Sequence, residues 1–118
     1  MHELSISGAI VETAIAHAAG RRVSVVSVRA GRLRQVVPRS LHFYFEIVAR
    51  DTVVEGARLE LEDVPARLRC RSCEHEWDVE TPSFRCPECH GGDVTVLSGD
   101  ELEVESIEVE EKEPQCIA

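Results

Sequence analysis

Two short cysteine pairs set the strongest limit on how this chain can fold. Cys70 and Cys73 form one CxxC, Cys86 and Cys89 form a second, and twelve residues separate them. A CxxC on a tight turn brings two sulfurs to one metal. Two such turns complete a tetrahedral thiolate cage, the closed form that structural zinc sites take. Pro87 inside the second pair and Gly91-Gly92 just after it suit tight turns. The connecting stretch is too short for a core of its own and offers only Trp77, Val79 and Phe84 to cover the metal. Metal binding therefore carries most of the folding free energy here, on the order of 10 kcal/mol for comparable small sites. Redox chemistry at a lone CxxC is the rival reading, and two paired turns argue against it. Iron in the same cage stays open. A fifth cysteine, Cys116, stands apart near the C-terminus, and in a cytosolic chain four cysteines in paired CxxC spacing favour metal over disulfides.

The rest of the chain reads as alternating helix and strand. Leu4, Val11, Ala14, Ile15 and Ala18 recur at three- and four-residue steps, which predicts a helix over 4–19 ended by Gly20. Residues 23–30 read as a strand, 40–50 as a helix that Pro38 can start, and 58–64 as a second strand. The last strand covers 101–110. Its alternation slips by one between Val104 and Ile107, which predicts a β-bulge. The expected class is α+β, a small αβαβ domain whose three-stranded sheet is completed by the C-terminal strand. A zinc-ribbon-like module is inserted at 68–97 between two linkers near 65–69 and 94–100, and 112–118 is expected to be a flexible tail.

Charge narrows the partners. The net charge is −9, and phosphate binding needs clustered Lys and Arg. The short basic clusters, Arg21-Arg22, Arg29 to Arg34 and Arg67 to Arg71, read as solvated surface, although the last could hold thiolate charge or face a partner. With 4% aromatic residues there is little surface on which bases could stack. A nucleic-acid-binding zinc ribbon is therefore disfavoured. A zinc enzyme is disfavoured as well, because four cysteine ligands leave no open coordination position. No apolar run approaches the roughly 20 residues that cross a membrane. A cytoplasmic protein is expected.

His2 and Glu3 directly follow Met1. An imidazole at position 2 can chelate a metal together with its own amide nitrogen and the terminal amine. Such nitrogen donors favour square-planar nickel or copper, and Glu3 can add a carboxylate oxygen. The competing reading is that a histidine near a terminus binds nothing. The chain is then a zinc-stapled protein-docking scaffold without nickel transfer. His75 and His90 also have two readings, as exposed turn residues or as modulators of the zinc site that can replace a sulfur.

The start Met1-His2-Glu3-Leu4-Ser5, the αβαβ segment and the late double CxxC together resemble the HypA/HybF family of hydrogenase maturation factors. Glu55-Gly56-Ala57-Arg58-Leu59 and Cys86-Pro87-Glu88-Cys89-His90 add to the likeness, which runs over nearly the whole chain. The resemblance implies a nickel metallochaperone that is not an enzyme. Ni(2+) falls to the Met1 amine, His2 and Glu3 of a nickel-binding domain at 1–67 and 98–111. Zn(2+) falls to Cys70, Cys73, Cys86 and Cys89. The implied partners are a hydrogenase large-subunit precursor and a GTPase accessory protein, and a homodimer is left open. In some family members an acidic side chain before the second helix approaches the nickel. Here that segment is Val37-Pro38-Arg39-Ser40, which has no carboxylate, so the fourth donor falls to water or a partner group.

Overall fold

The structure is a computed structural model, and it describes residues 3–79 and 84–110. Met1, His2, Cys116 and the expected tail lie outside the described residues. Helix α1 (Glu3–Ala18) leads to β1 (Val23–Gly31), a 3-10 turn (Arg32–Arg34), α2 (Pro38–Ala49) and β2 (Arg58–Val64). Strands β3 (Arg67–Cys70), β4 (Glu76–Asp78) and β5 (Val94–Ser98) follow, and β6 (Leu102–Val109) closes the chain.

The first body is a three-stranded sheet in the order β2-β1-β6. Strand β1 runs parallel to β2 through the α2 crossover and antiparallel to β6. Its valines, Val23, Val26 and Val28, are buried together with Ile10, Val11, Ala14 and Ala18 of α1 and Leu41, Phe45 and Ala49 of α2. On α2 these three residues recur every four positions, which presents one apolar stripe to the sheet. Helix α1 ends where Ala19 and Gly20 turn left-handed, at φ 52° and 79°, and Gly20 takes that geometry without a Cβ penalty. In β6 the register skips a residue, since Ser106 faces Ser27 and Val104 faces Val28. Glu105 is the extra residue, inside the window where the alternation slips.

The second body is a sheet in the order β4-β3-β5, with both pairings antiparallel. Its strands lie inside segments expected to be linkers and turns. Arg67–Cys70 and Val94–Ser98 are strands, so the connections shrink to residues 65–66 and 99–101. The molecule measures 73 × 25 × 17 Å with a radius of gyration of 18.8 Å, against about 13 Å for a compact chain of this length. The two sheets therefore lie along a long axis and do not share one core.

The junction is tight. A Cβ on Gly31 would overlap the Gly99 carbonyl, and one on Gly99 would overlap Ala66, where Gly99 also holds φ 97°. The Leu33 N–H donates to the Gly99 carbonyl at 2.9 Å, and the Ser98 hydroxyl donates to the Pro65 carbonyl at 2.9 Å. The Gly99 N–H donates to the Glu101 carboxylate at 3.0 Å. The helix starts share this end of the first body. Ser5 and Ile6 of α1 line a groove with Leu102 to Val104 at the start of β6, and the Ser7 hydroxyl donates to the Leu41 carbonyl of α2 at 3.4 Å. The start of α1 therefore lies where the connections to the second body leave.

Gly31→Ala and Gly99→Ala should each lower stability by about 2 kcal/mol or more, because backbone must move to admit the methyl group. Urea unfolding would show it. A Gly56→Ala control, with open space around its Cβ position and only its positive φ to lose, should cost less.

Candidate metal centre

Two turns of matching hydrogen-bond pattern build the cysteine site. In the first, the Glu74 N–H donates to the Cys70 carbonyl at 2.9 Å and the Cys70 N–H donates to the His75 carbonyl at 2.8 Å. In the second, the His90 N–H donates to the Cys86 carbonyl at 2.8 Å and the Cys86 N–H donates to the Gly91 carbonyl at 2.9 Å. Each turn puts its fifth residue in the left-handed region, Glu74 at φ 64° and His90 at φ 62°. Strand β3 delivers the first turn. The second hangs on the chain just before β5, and the Arg71 N–H bonded to the Asp93 carbonyl at 2.9 Å ties the two together.

The four Sγ atoms lie within 4.8 Å of one another. Cys70 to Cys89 and Cys73 to Cys86 are 3.5 Å apart. Zn–S bonds of about 2.3 Å in a tetrahedron put sulfurs about 3.8 Å apart, so the spacing fits zinc without rearrangement. Cys70 and Cys86 are buried, whereas Cys73 and Cys89 reach the surface.

Without a metal the thiols compete for one negative charge. The Cys73 N–H, with the Ser72 N–H and the Cys89 and Cys73 thiols, favours the Cys70 thiolate over the cost of desolvation and brings Cys70 to about 6. The His75 N–H favours a thiolate at Cys73 as well. Desolvation and the sulfurs of Cys86, Cys70 and Cys89 outweigh it and push Cys73 up to about 12. Cys89 is also raised, because Cys70, desolvation and Cys86 outweigh the Gly91 N–H. A divalent cation removes this conflict by stabilising every thiolate at once.

His75 and His90 take part in the turns through their backbones. The His75 ring stacks on Trp77 with centroids 5.9 Å apart and planes within 8°, and among the described residues the close cluster of donor atoms contains only the four sulfurs. The arginines beside the cysteines find carboxylates. Arg67 pairs with Asp78 at 2.9 Å, Arg69 with Glu74 at 3.5 Å and Arg71 with Asp93 at 3.7 Å. These exposed pairs add little stability, but they leave no bare basic stripe for phosphates. The alternation Arg67-Leu68-Arg69-Cys70 carried this signal, since it puts the arginines on the open face of a strand and Leu68 and Cys70 on the buried one.

Of the three N-terminal residues, the structure describes Glu3 alone. It opens α1, and its Oε2 is buried without a hydrogen-bond partner among the described residues.

The HypA family, described as a hydrogenase/urease nickel-incorporation metallochaperone family, matches residues 1–109. The chain is 44% identical over 115 residues to the hydrogenase maturation factor HypA of Desulfosudis oleivorans, a match that covers 94% of this chain and 100% of that one. It is 46% identical over 110 residues to the HypA of Geotalea uraniireducens, with 93% and 100% covered. The fold superposes on the solution structure of the Ni metallochaperone HypA from Helicobacter pylori with a TM-score of 0.68 at 24% identity, covering 92% and 97% of the two chains.

Zinc uptake by the metal-free protein at neutral pH should release two or more protons, because Cys73 and Cys89 hold theirs while Cys70 has already ionised. Calorimetry in buffers of different ionisation enthalpy counts them. The metal-free fold responds to pH in two directions. Cys70, lowered from 9.0 to about 6, stabilises it above pH 9, and this is lost as pH falls through 6. Cys73, raised from 9.0 to about 12, destabilises it as pH climbs through that range.

Proposed function

This chain belongs to the HypA family of nickel-incorporation metallochaperones, and we propose from that premise that it binds Ni(II) at its N-terminus and delivers it to a nickel-iron hydrogenase large-subunit precursor. The nickel is cargo, and the donors are the Met1 amine, the His2 amide and imidazole nitrogens, and the Glu3 carboxylate. Cys70, Cys73, Cys86 and Cys89 hold a structural zinc. The chain works in the cytoplasm beside a GTPase accessory protein and turns over no substrate of its own.

The observation that carries this reading is the Oε2 of Glu3, buried and without a hydrogen-bond partner among the described residues. A carboxylate oxygen withdrawn from water with no donor is costly, on the order of 1–3 kcal/mol or more for a charged group. A cation held by the two preceding residues would offset that cost. The chemistry of transfer follows from position. A site at a chain end can be reached by a receiving protein. Few protein donors leave room for an incoming ligand, so nickel can pass through a shared complex without first being released to water. Protonation of an imidazole near pH 6.5 would loosen the site in acid, because nickel needs the neutral ring. The zinc cage has the opposite character. All four of its positions are filled by protein, so it has no vacancy through which a ligand could enter.

Calorimetric titration with nickel, on zinc-loaded protein with a native Met1, should show one tight site. His2→Ala should abolish it, Glu3→Gln should weaken it about tenfold or more, and neither should change the zinc content. Unchanged nickel affinity in His2→Ala would leave a zinc-stapled docking scaffold as the better description.

A further inference from the structure

We propose that the outer edge of β2 is a docking site for an extended segment of a partner protein in which apolar and basic residues alternate. Strand β2 ends its sheet, since the order is β2-β1-β6, and it pairs with β1 on one side. Among the described residues, no backbone hydrogen bond reaches Arg58–Val64 from the other side. Such a row of free N–H and C=O groups is a template on which an extended chain can add as a further strand. The groove beside the edge says what one side of that strand must be. It holds about 590 Å3 between the end of β2 and the start of α2, a volume ordinary for a binding site. Ala30, Val36, Pro38 and Leu61 line it with apolar surface, and His42 lines it from α2. Val37, between two of them, is 50% exposed. Every second side chain of an added strand faces this groove, so those positions are apolar.

The remaining positions face the side of the sheet away from the helices, and charge selects them. Val26, Val28, Leu59 and Leu61 pack toward the helices. On the opposite side, Val25, Ser27 and Arg29 of β1 pair with Arg58, Glu60 and Glu62 of β2 and with Glu108, Ser106 and Glu103 of β6. Directly paired residues share a face, so four carboxylates meet two guanidinium groups there. Arg58 pairs with Glu60 at 2.8 Å, and Arg29 reaches Glu62 at 3.1 Å and Glu103 at 3.5 Å. Glu60 and Glu62, the two on the edge strand, stay 50% and 57% exposed, and exposed pairs of this kind are weak. Both carboxylates can therefore accept ammonium groups from a neighbouring strand. They also turn away a second copy of this chain, because two β2 edges side by side set like charges across the new pair. The docking does not rest on the nickel reading, since residues 1–3 take no part in it.

The probe is a capped heptapeptide of alternating lysine and valine, titrated into zinc-loaded, nickel-free protein and followed by backbone amide NMR. Amides of Arg58–Val64 should shift in a saturable way, and the outward ones should exchange more slowly with solvent. Glu60→Lys with Glu62→Lys should raise the Kd of that peptide about tenfold or more and admit an alternating glutamate–valine peptide in its place. Leu61→Ala, which removes part of the groove's apolar lining, should raise it severalfold with the edge charges intact. A control peptide with the same lysines and valines in two blocks should not protect β2. Equal protection by the control would reduce the effect to net charge and overturn the proposal. So would the absence of saturable shifts in β2, or a charge-reversed variant that binds as the native chain does. Protection of β2 that grows with protein concentration in the absence of peptide would give the edge to a second copy and overturn it too. Zinc content and circular dichroism show that each variant is folded, and a nickel titration of the same samples keeps this question separate from that of the N-terminal site.

Discussion

Four sulfurs within 4.8 Å cannot all carry charge unless something positive lies between them, and the second body depends on that constraint. Its three strands hold three to five residues each and bury Leu68, Cys70 and Cys86 with little else. Such a core is too small to offset the entropy of ordering the chain. The backbone turns do the geometric work in advance. They aim N–H groups at the sulfurs and hold Glu74 and His90 in left-handed conformations, so a cation meets a nearly finished site.

The first body stands on different physics. It buries valine, leucine and alanine between two helices and a sheet, and no ligand is needed to close it. The two bodies meet where the backbones of Gly31, Gly99 and Ala66 come too close to admit a further methyl group, with the Ser98 hydroxyl and the Glu101 carboxylate hydrogen-bonded to backbone beside them. That end of the first body also carries the start of α1, and Glu3 with it. One end of the domain thus gathers the start of α1, both short connections and the approach to the zinc turns.

Much of this was legible in the residues, for particular reasons. The apolar stripe of α1, the valine run of β1 and the alternation of β2 mark the elements, and the strand and helix bounds follow within a residue or two, although Leu4 and Ile15 of the stripe are exposed. The bulge in β6 was readable because a single slip in alternation has a single structural meaning. The strands of the second sheet were hidden. Four residues of β3 and three of β4 are too few to show a period, and β5 places Val96 and Leu97 side by side, which masks its alternation. That pair also falls at an irregularity, since Val96 faces Leu68 and Ser98 faces Arg67. Among the metal donors, the cysteine spacing pointed to a common centre, and the structure brings those sulfurs together. Spacing could not say that the His75 ring would lie flat on Trp77, two residues along the chain.

The position of β6 bears on how the chain comes to fold. Val28 in β1 pairs with Val104, and the whole second body lies between β2 and β6 in sequence. The central strand of the first sheet must therefore wait for a partner from the far end of the chain, and long-range pairing of this kind is slow. Drawing the two cysteine turns together shortens the free loop that has to close, which lowers its entropic cost. A metal resident in one body thus hastens the completion of the other. A chain emerging from synthesis in zinc-poor surroundings would have its hydrophobic first sheet open along one edge for longer, with the aggregation hazard that an open edge carries.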